Sequence, residues 1–195
     1  MSVRGRALLV GPLLAILLAL LLYGLSGRGS MVWQAQRQQQ EAAQMTAQQQ
    51  ADRQLTQRWL AVRAAPQDSA AWAALAQRYL ERNEYREALR AYDRALQLRG
   101  ENAELLAARA TAHYYAAGQR VTPPAQADVT AALRLDAQEV SALMLLAEAA
   151  FRQADYPRAI ALWQRLLDGA SPRINRPRLI EAIATARLLE QARAR

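Results

Sequence analysis

The chain contains no cysteine, no lysine and a single histidine, His113. Each absence removes a class of chemistry. Without thiols there is no disulfide framework, no thiolate nucleophile, no cysteine-ligated metal and no lipoprotein processing. With one imidazole, neither a multi-histidine metal cluster nor a Ser-His-Asp constellation can be assembled. A glycine-rich phosphate loop is missing too, since Gly27-Arg28-Gly29 follows a long apolar run and not a strand. Every cation is an arginine, 25 of them against 17 acids for a net charge of +8. Residues such as Arg86, Arg90 and Arg94 alternate with Glu84, Glu87 and Asp93, which is the pattern of a solvated helix exterior and not of a nucleic-acid surface. Anionic lipid heads or an acidic partner match the surplus better. These absences point to a binding protein with no catalytic, cofactor or metal site of its own, and with no nucleic-acid partner.

What is present begins with residues 7–25, nineteen residues without a charge, ten of them leucine. At ~1.5 Å per residue such a helix just reaches across a bilayer core. An all-round apolar helix finds no cover in a small domain, so a transmembrane anchor is expected over a buried core helix. Arg4 and Arg6 precede it, placing residues 1–6 in the cytoplasm and the remainder outside, although Arg28 and Arg37 reduce the charge contrast. Gly24 and Ser26 would suit removal after Ser26, but the run exceeds a usual signal-peptide core, which favours a retained anchor.

Residues 26–51 form a hydrophilic connector. Gly27 to Ser30 supply a flexible joint, and 34–50 hold nine glutamines with interspersed alanine and no long apolar stripe. This composition suits a solvated helical or partly disordered spacer, with a glutamine-rich interaction tract as the alternative.

From Ser69 onward the apolar residues recur in a period of about 34. Trp72, Leu75, Ala76 and Tyr79 lie on one stripe of a first helix, and Ala88, Tyr92 and Ala95 on one stripe of a second. Small residues at the crossing let two helices approach closely, and the large ones fill the space around it. A second copy starts at Ala103 with Leu106, Ala110 and His113, then Ala125, Val129 and Ala132; its three extra residues fall in the turn 118–124. A third starts at Val140 with Leu143, Leu146, Ala147, Ala150, Ala159, Trp163 and Leu166, and Asp155-Tyr156-Pro157 makes its internal turn. His113 takes the place of Tyr79, so a packed, hydrogen-bonded core side chain is expected there before a ligand.

These positions spell the tetratricopeptide pattern. The expected fold is an all-α tetratricopeptide helical-repeat solenoid over residues 52–194, preceded by one transmembrane helix, with repeats at 69–102, 103–139 and 140–173. Leu55, Trp59 and Val62 mark a lone helix ahead of the first repeat. A capping helix over 177–194 carries Leu179, Ile180, Ile183, Ala186, Leu188 and Leu189 on a broad apolar side.

In repeats of this type the inner surface is lined by a few first-helix positions. Here they hold Ala70, Ala73, Gln77 and Leu80, then Ala107, Thr111, Tyr114 and Tyr115, then Met144, Glu148, Phe151 and Arg152. The candidate peptide-binding groove is therefore Gln77, Leu80, Thr111, Tyr114, Tyr115, Met144, Glu148, Phe151 and Arg152. Such a lining suits an extended or helical peptide with apolar anchors. Arg152 is read either as a carboxylate grip or as a surface ion pair with Glu148 one turn earlier. For Tyr114, Tyr115 and Phe151 the competing role is packing between repeats. The two-lysine carboxylate clamp of chaperone-binding repeats is ruled out by the absence of lysine.

Four stretches carry a narrower likeness: Ala95 to Leu105, Ala142 to Ala147, Ala161 to Gln164, and Ser171-Pro172-Arg173-Ile174-Asn175-Arg176. With them the chain resembles the tetratricopeptide subunits of the c-type cytochrome maturation haem lyase, especially the type serving formate-dependent nitrite reductase, with the CcmH and CcmI biogenesis subunits as relatives. The resemblance implies a bacterial inner-membrane protein with its repeat domain in the periplasm. It implies a groove that binds apocytochrome c by its C-terminal segment, and membrane partner subunits of the lyase that handle haem and the thioether chemistry. A general envelope scaffold for another cell-envelope complex is the alternative.

Overall fold

The computed structural model describes residues 47–169 and 171–193. Among them are eight helices and no strand: α1 Ala47–Ala64, α2 Ser69–Glu81, α3 Tyr85–Arg99, α4 Ala103–Ala116, α5 Pro123–Leu135, α6 Val140–Arg152, α7 Tyr156–Asp168 and α8 Arg176–Arg193. The expected span at 7–25, its cytoplasmic flank 1–6 and the connector up to residue 46 lie outside the described residues. No described helix is long and apolar enough to cross a membrane.

Local chemistry sets where the helices start. Asp68 accepts from the Ala70 N–H at 2.8 Å, Asn102 from Leu105 at 3.0 Å, Glu139 from Ala142 at 2.7 Å and Asn175 from Arg178 at 3.1 Å. Each satisfies one of the free donors at a helix N-terminus. Thr122 plays the same part for α5, whose first residue is a proline that has no N–H to satisfy.

The first helix of every repeat ends alike. A residue in the left-handed conformation follows it, Asn83 at φ 61°, Gly118 at φ 64° and Ala154 at φ 60°. The next N–H then donates back into the last turn: Glu84 to Tyr79, Gln119 to Tyr114 and Asp155 to Ala150, each at 2.9 Å. In the first and third repeats only three residues separate the helices, whereas the second has six, 117–122, so its extra residues lengthen the loop and leave the helix pairing intact.

Side by side, α2 packs on α3, α4 on α5 and α6 on α7, and each hairpin stacks on the next. Ala76, Ala88, Ala95, Ala110, Ala125, Ala132, Ala147 and Ala159 are wholly buried where helices cross. Around them lie three apolar clusters, centred on Leu75 and Tyr92, on Tyr114 and Val129, and on Leu143, Trp163 and Leu166. Burying each such large side chain contributes roughly 1.5–3 kcal/mol.

The two ends differ from the sequence reading in detail. Helix α1 starts at Ala47, ahead of the expected Asp52, and uses Val62 and Leu55 against the first cluster, while Trp59 stays partly exposed and donates to the Tyr79 hydroxyl at 2.6 Å. At the other end α8 buries only Leu179, Ile183 and Ala186 against the third cluster. Ile180, Leu188 and Leu189 of the expected apolar side are exposed, because a helix covering one neighbour needs only one narrow stripe.

His113 is half-buried and its Nε2 lies 4.0 Å from Asp128, beyond hydrogen-bond distance, which corrects the expected hydrogen-bonded core role. The buried Asp128 is instead held by Arg109, whose guanidinium donates to both carboxylate oxygens at 2.8 and 2.6 Å and reaches Asp93 at 2.6 Å. Those two acids raise the Arg109 pKa, so it is a fixed cation joining α3, α4 and α5.

Candidate functional site

The first helices of the three repeats, α2, α4 and α6, share one cavity of about 320 Å³. Seven residues of the expected groove line it: Gln77 and Leu80 from α2, Thr111, Tyr114 and Tyr115 from α4, Met144 and Glu148 from α6. The helical repeat accounts for this convergence, because residues three and four apart share a face and stacked hairpins bring equivalent faces together.

Several of these side chains are held in place. Gln77 accepts from the buried Tyr92 hydroxyl at 3.0 Å and donates to Glu81 at 3.1 Å, which orients its amide. Burial raises the Tyr92 pKa, with the Glu81 charge adding to it, so Tyr92 is a donor here at any ordinary pH. Thr111 donates back to the Ala107 carbonyl at 2.9 Å, leaving its oxygen lone pairs for an incoming donor. Tyr115 stacks on Tyr85, with centroids 6.3 Å apart and planes 14° from parallel, and meets Tyr114 edge-on at 5.5 Å.

Three positions take roles other than an open lining. Tyr114 is only 2% exposed and belongs to the second core cluster, so it forms the floor of the groove; its hydroxyl is buried without a hydrogen-bond partner. Phe151 is absent from the shared cavity and packs against Tyr156 and Trp163, each with centroids 5.6 Å away. Its role is the packing of repeat three. Arg152 is exposed, lies outside that cavity and makes no ion pair within 4.0 Å among the described residues, so of its two readings the ion pair with Glu148 is not formed. Of the smaller residues expected on this surface, Ala107 is wholly buried.

Glu148 is the acid of the groove. Its side chain is accessible, yet the surrounding wall desolvates the carboxylate and raises its pKa, against the opposing pull of Arg152. Tyr114 and Tyr115 feel its charge, and burial raises the pKa of both rings first. The groove is thus apolar and aromatic, with an oriented amide, a hydroxyl acceptor and one carboxylate.

Residues 31–175 match the model of the family described as "Cytochrome c-type biogenesis protein H TPR domain". The chain belongs to this family. Among similar members and relatives is the formate-dependent nitrite reductase complex subunit NrfG of Escherichia coli O157:H7, 49% identical over 164 residues, covering 82% of this chain and 83% of that protein. The bifunctional subunit NrfFG of Haemophilus influenzae is 34% identical over 67% of this chain and 34% of its own length, and the biogenesis protein CycH of Pseudomonas aeruginosa is 36% identical over 55% of this chain and 26% of its own length. Among solved structures the chain is similar to the Sgt2 TPR domain from Aspergillus fumigatus, at 26% identity and a TM-score of 0.53, over 65% of this chain and 82% of that one. The first TPR of Spaghetti, at 22% identity and a TM-score of 0.51, shares the fold. Its membership makes this chain a TPR protein of c-type cytochrome biogenesis, and its relatives NrfG and NrfFG are subunits of the formate-dependent nitrite reductase complex.

One of the four stretches that carry the narrow resemblance, Ser171 to Arg176, is a structural clasp. Arg173 donates to Glu104 at the start of α4 and to the buried Glu139 at the start of α6, both at 3.1 Å. Ile174 packs on the third core cluster, Asn175 caps α8, and Arg176 donates to the Leu167 carbonyl at 2.8 Å. Beside this clasp lies a second cavity, about 440 Å³, between α6 and α8. It borders the groove through Val140, Met144 and Glu148, and adds Trp163, Ile174, Arg178, Leu179 and Ala182. None of those five was read as a site residue. The motif around Arg173 was the available signal, but its partners are 69 and 34 positions away.

Proposed function

We propose that this member of the biogenesis family is a non-catalytic adaptor that binds the C-terminal segment of an apocytochrome c in its groove and presents it to the membrane subunits of a haem lyase. The observation that carries this reading is the convergence of Gln77, Leu80, Thr111, Tyr115, Met144 and Glu148 from three helices on one open, largely apolar cavity in a chain of this family. An extended peptide with apolar anchors suits such a surface. The absence of cysteine and the single histidine leave haem ligation and thioether chemistry to partner subunits.

In the same proposal, residues 7–25 anchor the protein in the bacterial inner membrane and the repeat domain works in the periplasm. What supports it is the uncharged run and the arginines before it. Tethering then raises the local concentration of client beside the lyase, so a groove of modest affinity suffices.

The test uses the full chain in detergent and a fluorescent peptide of the last ten residues of the E. coli O157:H7 formate-dependent nitrite reductase. Binding at roughly micromolar Kd, weakened about tenfold by Met144→Ala or Tyr115→Ala, is expected. Equal binding of a scrambled peptide, or indifference to both substitutions, overturns it. Phe151→Ala is the wrong probe, since it opens the core.

A further inference from the structure

Several cations come near the α6–α8 junction, and they differ in what occupies them. Arg173 is spent on Glu104 and Glu139, and Arg176 on the Leu167 carbonyl. Arg152 lines neither cavity. Arg178 is the exception. It lines the 440 Å³ cavity and has no carboxylate within 4.0 Å among the described residues. Its backbone N–H is taken by the Asn175 cap, which fixes the first turn of α8 and leaves the guanidinium for something else.

The surroundings narrow what that something is. Val140, Met144, Trp163, Ile174, Leu179 and Ala182 give the cavity an apolar majority, with Glu148, Arg173 and Asn175 as the other polar lining. The volume falls within the ~300–1,000 Å³ range of ligand pockets. Glu148 stands at the edge shared with the groove, and its carboxylate is more than 4.0 Å from the Arg178 guanidinium. A single open guanidinium over apolar walls is complementary to one carboxylate attached to an apolar side chain. The cavity adjoins the groove through Val140, Met144 and Glu148, and on its other side the linker holding Arg173, Ile174 and Asn175 walls it. A chain laid along the groove runs into this wall.

We infer that the cavity between α6 and α8 is the terminal subsite of the groove, in which Arg178 binds the free α-carboxylate of a peptide while the last side chain rests on Trp163, Ile174 and Leu179. This rests on the peptide-binding reading above and goes beyond it by naming where the terminus sits and which residue reads it. Arg178 is a specificity-determining residue, since an internal segment lacks the group that it pairs with.

The experiment compares two forms of the nitrite reductase decapeptide, free acid and C-terminal amide, on the full chain and on Arg178→Gln. The free acid should bind the unaltered protein about tenfold more tightly than the amide, as a charge-assisted pair predicts. In Arg178→Gln the two forms should bind alike, at the strength of the amide. Equal binding of both forms by the unaltered protein overturns the inference and leaves the adaptor reading standing. A preference for the free acid that survives Arg178→Gln overturns the assignment to Arg178. If neither form binds, the adaptor reading falls and the inference falls with it. Circular dichroism melts of Arg178→Gln, an exposed position, check that the domain stays folded.

Discussion

Replacing Glu139 probes how the repeats are tied to the capping helix. This carboxylate is 1% exposed, accepts from the Ala142 N–H at 2.7 Å as the N-cap of α6, and accepts from Arg173 at 3.1 Å. Glu139→Ala removes both bonds. Loss of an N-cap costs about 1 kcal/mol, and loss of a charged hydrogen bond about 1.5–3 kcal/mol. Arg173 is half-exposed and keeps Glu104, so no charge is stranded and the low end of the second range applies. The expected destabilisation is about 2–3 kcal/mol. Glu139→Gln keeps one oxygen for the Ala142 N–H but turns its amide N–H toward Arg173, so the cap survives, the bond to Arg173 is lost, and the cost should be about 1.5–2 kcal/mol. Urea denaturation of the full chain, followed by far-ultraviolet circular dichroism at neutral pH, separates the two. A cost below about 0.5 kcal/mol for Glu139→Ala, or equal costs for both substitutions, refutes the reasoning.

Two further predictions follow from the backbone and from the groove. Ala154 sits at φ 60°, a conformation that costs a side-chain-bearing residue roughly 1 kcal/mol; Ala154→Gly should raise stability by about 0.5 kcal/mol once the unfolded-state entropy is counted, and a loss in the same melts contradicts it. Glu148 holds its proton more tightly in the folded protein than in the unfolded chain because burial raises its pKa. Stability therefore falls as pH rises from the ordinary carboxylate range through the raised folded value, so Glu148→Gln should gain on the unaltered protein between mildly acidic and neutral pH; a difference that is flat or reversed across that interval sinks the argument.

The sequence alone determined that the repeat helices form, how they pair and which face of each meets its hairpin partner. Helix period and small-residue spacing are local properties, which is why they place Trp72, Ala76, Tyr79, Ala88 and Tyr92 in one hairpin. The lengthened turn of the second repeat was legible for the same reason. What one sequence does not carry is the rotation of each hairpin on its neighbour. That rotation sinks Tyr114 into the floor and leaves Tyr115 and Met144 on the groove, while Phe151 meets Trp163 across its own hairpin. Likewise it leaves Ile180 and Leu188 uncovered on a helix that was apolar on paper. The clasp of Arg173 and the cavity beside Arg178 join residues tens of positions apart, so only tertiary packing decides them. Periodicity reports which residues share a face; burial and charge pairing depend on what the fold brings against that face.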